Sequence, residues 1–189
     1  MIYGDRIRLR ALEKDDLPHF VRWLNDPEVR DHLSLYHPLS QDDEERWYQR
    51  QMELDPIQRP LSIEVQADPD GKWIFIGNCG YVDLDWRNRK AELGIQIGKK
   101  EFWNRGFGTK AVQLLLKYGF QTLNLNRIWL RVQETNHRAA RVYQKSGFVP
   151  EGTFRQDYYQ DGSYHDMQVM SVLKADWIEH RKKEQADDA

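Results

Sequence analysis

Near the start of the chain Ile7 and Leu9 alternate with Arg6, Arg8 and Arg10, a period of two that predicts a strand. Leu17, Phe20, Val21 and Leu24 then recur at helical spacing behind Asp15 and Asp16, and Asp26-Pro27 ends that helix. A second helix is predicted over residues 41–54, weakly amphipathic through Trp47, Gln51 and Leu54. Its acidic start, Asp42 to Glu45, suits the positive end of a helix. Three strands follow at 61–66, 73–85 and 91–98, separated by Asp68-Pro69-Asp70-Gly71 and Arg87-Asn88-Arg89. Connections this short make neighbouring strands antiparallel.

Beyond residue 100 the period changes. Ala111, Val112, Leu114, Leu115, Leu116 and Tyr118 define a helix, Ile128, Leu130 and Val132 a strand, and 136–146 a further helix with Gly147 at the left-handed cap. Two closing strands, 153–160 and 163–173, meet at Asp161-Gly162, a strong hairpin signal. The order β-α-α-β-β-β-α-β-α-β-β predicts an α/β protein with a mixed sheet, mostly antiparallel, containing one parallel crossover. A single domain over 1–178 is expected, and the charge-rich tail 179–189 is expected to fray.

Composition narrows the classes. The 189 residues fit one core, and 40% hydrophobic residues with seven Trp are too many for a disordered chain. Lys and Arg (28) nearly cancel Asp and Glu (30), so no overall basic face exists for nucleic acid. No apolar run reaches the roughly 18 residues of a membrane span, and the N-terminus lacks a signal-peptide core. One cysteine, Cys79, cannot form an internal disulfide, and the six His offer no metal-ligand spacing. A cytoplasmic protein is expected, without metal, nucleic-acid or membrane partners.

The chemistry concentrates in Trp103-Asn104-Arg105-Gly106-Phe107-Gly108-Thr109-Lys110, between a strand and an amphipathic helix. Glycines let the backbone approach a ligand, and a helix N-terminus supplies unpaired N–H donors, so the segment suits a phosphate or pyrophosphate. The alternatives are an ordinary glycine turn and a dinucleotide fingerprint, since Gly106 to Ala111 also fits GxGxxA. Against the fingerprint, Lys99 to Arg105 separate the glycines from the strand, and antiparallel strands precede it.

Glu92, the Arg105-Gly106-Phe107-Gly108 loop, Asn136, and Ala140-Arg141-Val142-Tyr143-Gln144-Lys145-Ser146-Gly147-Phe148 together resemble the GNAT superfamily of acetyl-CoA-dependent N-acetyltransferases, over about residues 3–175. The closing Tyr159-Gln160-Asp161-Gly162-Ser163-Tyr164-His165-Asp166-Met167, with Met170, resembles the branch of ribosomal-protein N-terminal and spermidine acetyltransferases. The resemblance implies a splayed pair of strands, 91–98 and 128–133, admitting the pantetheine arm of acetyl-CoA beside Ile95 and Ile97. The diphosphate would rest on the amides of Arg105, Gly106, Phe107, Gly108 and Thr109, with Asn136 and Arg141 as further cofactor contacts. Trp103 departs from the Gln or Arg with which the family loop commonly begins.

An acetyl thioester is already activated, so the reaction needs a neutral amine, whose ordinary pKa is near ~10, and an acid for the leaving thiolate. Tyr143 falls at the family's general-acid position, its other reading being a core aromatic. Glu92 matches the common general base, its other reading being a strand carboxylate paired with Arg131; Glu134 is the reserve. Some N-terminal acetyltransferases carry a catalytic carboxylate where this chain has Arg131, so their mechanism does not transfer unchanged. Asn136 also suits a helix N-cap. Cys79 reads as a small buried residue rather than an acetyl carrier. His32, Tyr36, His37, Tyr158 and Tyr159 are candidates for the acceptor side or for packing. The expected activity is acetyl transfer to a primary amine in a ternary complex: a protein N-terminal α-amine first, a polyamine or other small amine next. A homodimer is left open. A non-catalytic coenzyme A-binding module is the alternative, and an NAD-binding protein the third.

Overall fold

The computed structural model of the protein describes residues 1–69 and 71–187. Asp70 of the expected turn lies outside the described residues, as do the last two residues of the tail. In chain order the elements are β1 (Ile2–Gly4), β2 (Ile7–Ala11), α1 (Leu17–Leu24), α2 (Pro27–Arg30), α3 (Gln41–Glu53), β3 (Leu61–Gln66), β4 (Trp73–Asp85), β5 (Lys90–Ile97), α4 (Phe107–Lys117), β6 (Arg127–Gln133), α5 (His137–Lys145), β7 (Val149–Gln160), β8 (Ser163–Leu173) and α6 (Lys174–Asp187). The eight strands hydrogen-bond in the order β1-β2-β3-β4-β5-β6-β8-β7. The expected parallel crossover is β5 to β6, by way of α4.

Four elements depart from the pattern reading, one of them β7, which begins at Val149 rather than at 153. β1 pairs with β2 from Ile2↔Leu9 to Gly4↔Ile7, three residues that are too few for a periodic signal. Asp26-Pro27 ends α1 and also begins α2: Asp26 accepts the Glu28 N–H, and proline suits the first turn. At the other end α6 runs past residue 178, where the tail was expected to begin. Trp177 anchors it, buried against Phe120 with ring centroids 5.4 Å apart.

Two compact units divide the chain, residues 1–82 with 94–114, and residues 83–93 with the chain from 115 on. In the first, α1 contributes Leu17, Phe20, Trp23 and Leu24 to an aromatic core in which Phe75 of β4 packs 5.0 Å from Trp23 and edge-on to Phe20. A Ser40–Asp43 capping box starts α3, so its acids bond the orphan amides as well as face the helix dipole. The arginines of β2 reach neighbouring acids rather than water. Arg10 donates to both oxygens of Asp16 (2.8 and 2.6 Å) and to Glu64 (2.8 Å), Arg8 donates to Glu64 (2.6 Å), and Ser62 donates to Asp16 (2.8 Å). Burial opposes the charge on Asp16, but the Arg10, Glu13 backbone and Ser62 hydrogen bonds outweigh it and hold the pKa below normal.

In the second unit, β6 buries Ile128, Leu130 and Val132, with Ile128 opposite the buried Val172 of β8. Arg127 of β6 donates to Ser171 of β8 and to both carboxylate oxygens of Glu151 on β7. β7 is exposed along nearly all its length. Its register with β8 slips at Pro150/Gly152 and again at Phe154/Tyr158, around Gln156, whose φ is 53 and whose N–H bonds Asp166. The hairpin at Asp161-Gly162 has both residues at positive φ, the geometry its sequence demands.

Candidate active site

In the first unit the glycine loop leads straight into α4. Gly106 has φ +81, and a Cβ there would meet nothing within 4 Å, so the glycine serves backbone conformation rather than packing. Its carbonyl accepts the Lys110 N–H at 3.0 Å, which starts the helix and leaves the earlier amides outside its ladder. The N–H groups of Phe107, Gly108 and Thr109 stand ahead of that ladder, as the first amides of any helix do. With Gly106 they gather donors at the positive end of an eleven-residue helix, a place suited to an anion. The Arg105 guanidinium lies over Phe102 and Phe107, 5.0 and 5.8 Å from their centroids. Lys110 is tied to Asp5 at 2.6 Å.

Trp103, the departure from the family loop, has a part the sequence did not reveal. Its indole N–H donates to the Ile97 carbonyl at 2.7 Å, fastening the loop to the end of β5. That takes one of the carbonyl's two acceptor directions, and Ile95, like Ile97, is half-buried. Trp23 of α1 packs where a Gly98 side chain would stand, 2.1 Å from a Cβ built there.

In the second unit Tyr143 projects from α5, 7% exposed, with Phe148 at 5.8 Å. Burial pushes the phenol up to about 12, so it carries its proton throughout the neutral range. No described residue hydrogen-bonds its hydroxyl, although a buried tyrosine usually places that group on a partner. Asn136 caps α5, its side-chain oxygen accepting the Ala139 N–H at 3.0 Å. Arg141 is exposed on the same helix.

Glu92 is opposite Trp129 at the last of only three parallel β5–β6 pairs, although β5 continues to Ile97 and β6 to Gln133. The ladder stops where the family's splay was expected. The Glu92 carboxylate, 13% exposed, accepts from Arg131 Nε at 3.0 Å and Nη2 at 3.3 Å, so the ion pair weighed in the sequence is present. Each oxygen keeps a second acceptor direction. The hydrogen bond to Glu92 raises the Arg131 pKa, burial opposes it, and Asp157 and Asp83 add attraction. Glu134 is drawn to β8, accepting the Asp166 N–H at 3.4 Å.

Cys79 is 2% exposed, and desolvation pushes its thiol up, away from the thiolate an acetyl carrier needs. Tyr36 is 92% exposed and edge-on to His37, while His32 is 3.4 Å from Asp31. Tyr159 packs against Tyr164, ring centroids 4.9 Å apart and planes tilted by 55°, beside the hairpin turn. No three His, Cys, Asp or Glu among the described residues are grouped to hold a metal, and no described helix is long and apolar enough to cross a membrane.

Comparison with known proteins places this geometry. Residues 6–149 match the family described as Acetyltransferase (GNAT) domain, and the chain belongs to that family. It is therefore an acetyl-CoA-dependent N-acetyltransferase with the mixed GNAT sheet, and the nicotinamide reading of Gly106 to Ala111 falls. The chain is 30% identical over 178 residues to the N-acetyltransferase p20 of Bacillus licheniformis, itself uncharacterised. It is equally identical, over the same length, to the spermidine N(1)-acetyltransferase of Vibrio cholerae; each match covers 93% of this chain and 97% of the relative. A crystal structure of the Vibrio cholerae spermidine N-acetyltransferase with CoA and spermine superimposes with a TM-score of 0.82 at 27% identity, covering 93% of this chain and 99% of that one.

Proposed function

We propose that the acetyl group passes from acetyl-CoA to a primary amine by direct attack, with both substrates bound together. The buried Tyr143, protonated and with its hydroxyl bonded by none of the described residues, carries the reading. The amides of Arg105 to Thr109 take the diphosphate, and the pantetheine amides pair with β5 beyond Glu92, at Ile95 and Ile97. Arg141 and Asn136 add contacts.

The amine nitrogen attacks the thioester carbon as its proton passes to Glu92, directly or through water. The carbon–sulfur bond breaks, and the thiolate takes the Tyr143 proton, so coenzyme A leaves as a thiol. The phenolate regains a proton through solvent as Glu92 gives its proton up. Arg131 fixes the carboxylate while leaving one acceptor direction on each oxygen. No protein nucleophile takes part, consistent with the buried Cys79.

For the acceptor, an α-amine at a polypeptide N-terminus is the first reading, on the likeness of the closing hairpin to the branch of ribosomal-protein N-terminal and spermidine acetyltransferases. The near full-length likeness to spermidine acetyltransferases supports a polyamine as the second reading. A thermal-shift titration followed by an amine panel tests the proposal. Acetyl-CoA should raise the Tm with concentration while NAD does not, and coenzyme A should be released only when an unblocked amine is present. Release at the same rate without amine would refute direct transfer.

A further inference from the structure

Trp103 is the last residue before the glycine loop turns, and its surroundings make it an anchor. Its ring is half-buried against the core that holds Phe20 and Trp23 of α1 and Val29 of α2. The indole N–H donates to the Ile97 carbonyl, six positions back, and the Trp103 main-chain N–H donates to the Lys100 carbonyl at 2.9 Å. The turn between these two ties is fixed from outside as well, because the Lys100 ammonium stands 2.7 Å from Asp26 and 3.0 Å from Glu28 at the start of α2. Directly after the anchor the backbone is left-handed twice: Asn104 has φ 57 and Gly106 φ 81, with Arg105 between them. Left-handed residues among ordinary ones turn successive N–H groups toward one side, a concavity suited to an anion. Asn104 carries a Cβ, so it tolerates that conformation less readily than glycine and needs neighbours that keep it there. All these residues lie within the first compact unit.

We infer that Trp103 is a positioning residue for the cofactor: its indole keeps the loop amides where the diphosphate of acetyl-CoA meets them, before the cofactor arrives. This rests on the diphosphate reading of the loop given above. An indole has one N–H and no acceptor, and that N–H is engaged by Ile97, so the side chain offers the diphosphate no hydrogen bond of its own. Its contribution is conformational. A ligand that binds only the correctly set loop has its apparent dissociation constant raised by the inverse of the fraction of loops so set. Deleting the N–H removes a bias the size of one hydrogen bond, about tenfold in that fraction. The loss is confined to donors that carry a diphosphate, since the diphosphate is what the loop amides hold.

The test compares wild type with Trp103→Phe and Trp103→Met, both of which delete the N–H and keep apolar bulk. Acetyl-CoA and acetyl-pantetheine, the second without diphosphate or nucleotide, serve as acetyl donors. Spermidine and a lysine-free peptide with a free N-terminus serve as acceptors. In both variants the KM for acetyl-CoA should rise about tenfold with kcat within twofold, the pattern of a lost binding contribution. Inhibition by inorganic pyrophosphate should weaken by a similar factor, while KM and kcat for acetyl-pantetheine stay within twofold of wild type. Both variants should still unfold in one cooperative transition. The inference is overturned by an acetyl-CoA KM within threefold of wild type in both variants, by a loss in kcat alone, or by equal losses with the two donors. Failure of both variants to fold overturns it too, because the indole then serves the core at large. A wild type that uses the two donors with equal KM and ignores pyrophosphate removes the diphosphate reading itself. Transfer to neither acceptor by the wild type removes direct transfer, and this inference with it.

Discussion

Replacing Tyr143 with Phe removes one oxygen from a side chain that is 7% exposed and whose hydroxyl no described residue engages. Two effects follow, and they separate. At neutral pH stability should change by less than about 0.5 kcal/mol, because no intramolecular hydrogen bond is lost. The rate of the acetyl-transfer step should fall about 100-fold, or roughly 2.7 kcal/mol of barrier, the lower end of general-acid contributions. The pH dependence gives an independent measure. Burial raises the phenol from its usual 10.0 to about 12, so the folded protein holds this proton more tightly than the unfolded chain does. The associated stability is complete below pH 10 and is lost as the pH climbs through about 12, an effect of at most roughly 3 kcal/mol. Urea unfolding of wild type and variant should therefore agree at pH 7 and diverge in the variant's favour above pH 10. Cys79 is common to both proteins and cancels in the difference. Single-turnover rates with preloaded acetyl-CoA isolate the chemical step. A variant that turns over within threefold of wild type removes Tyr143 from the acid role, and one that loses more than about 1.5 kcal/mol at pH 7 shows that the hydroxyl has a structural partner.

Gly106→Ala places a side chain at φ +81 with no steric contact, so its cost should be the left-handed strain alone, about 1–2 kcal/mol, while acetyl-CoA affinity by calorimetry falls about tenfold as the loop amides turn away. Gly147→Ala, at φ +90 behind α5, should show similar strain and no loss of affinity. Arg10→Met leaves Asp16 and Glu64 without their shared cation and should cost about 3–5 kcal/mol in urea unfolding, with Asp16→Leu added in the same chain recovering part of it.

Long periodic stretches were legible in the sequence: α1, α3, β3, β4 and β8 stand within a residue of their expected limits, α1, β3 and β4 because each buries regularly spaced apolar residues and α3 and β8 because a capping box or a glycine turn marks where they begin. What escaped depends on partners distant in sequence. Arg8 and Arg10 look like the wet side of a strand until β3 supplies Glu64 and the turn before α1 supplies Asp16. Trp103 reads as a mismatch in a glycine loop, and only the fold brings its indole onto Ile97. The anion site was readable because it needs only local backbone, glycine followed by a helix start. The Glu92–Arg131 pair, 39 positions apart, could be suspected from strand neighbours but not distinguished from a free base.

The slipped register of β7 bears on how the protein behaves at high concentration. A border strand with an unbroken row of amides and carbonyls invites a neighbouring chain to dock and propagate. Here the run is interrupted by Pro150, which lacks a donor, and by Gln156 with its left-handed backbone, while Glu151, Arg155 and Asp157 put charge along the rim. The opposite border, β1, offers three residues. Neither rim can seed an extended intermolecular ladder, so the chain should stay dispersed when overproduced, without a chaperone to mask its margins.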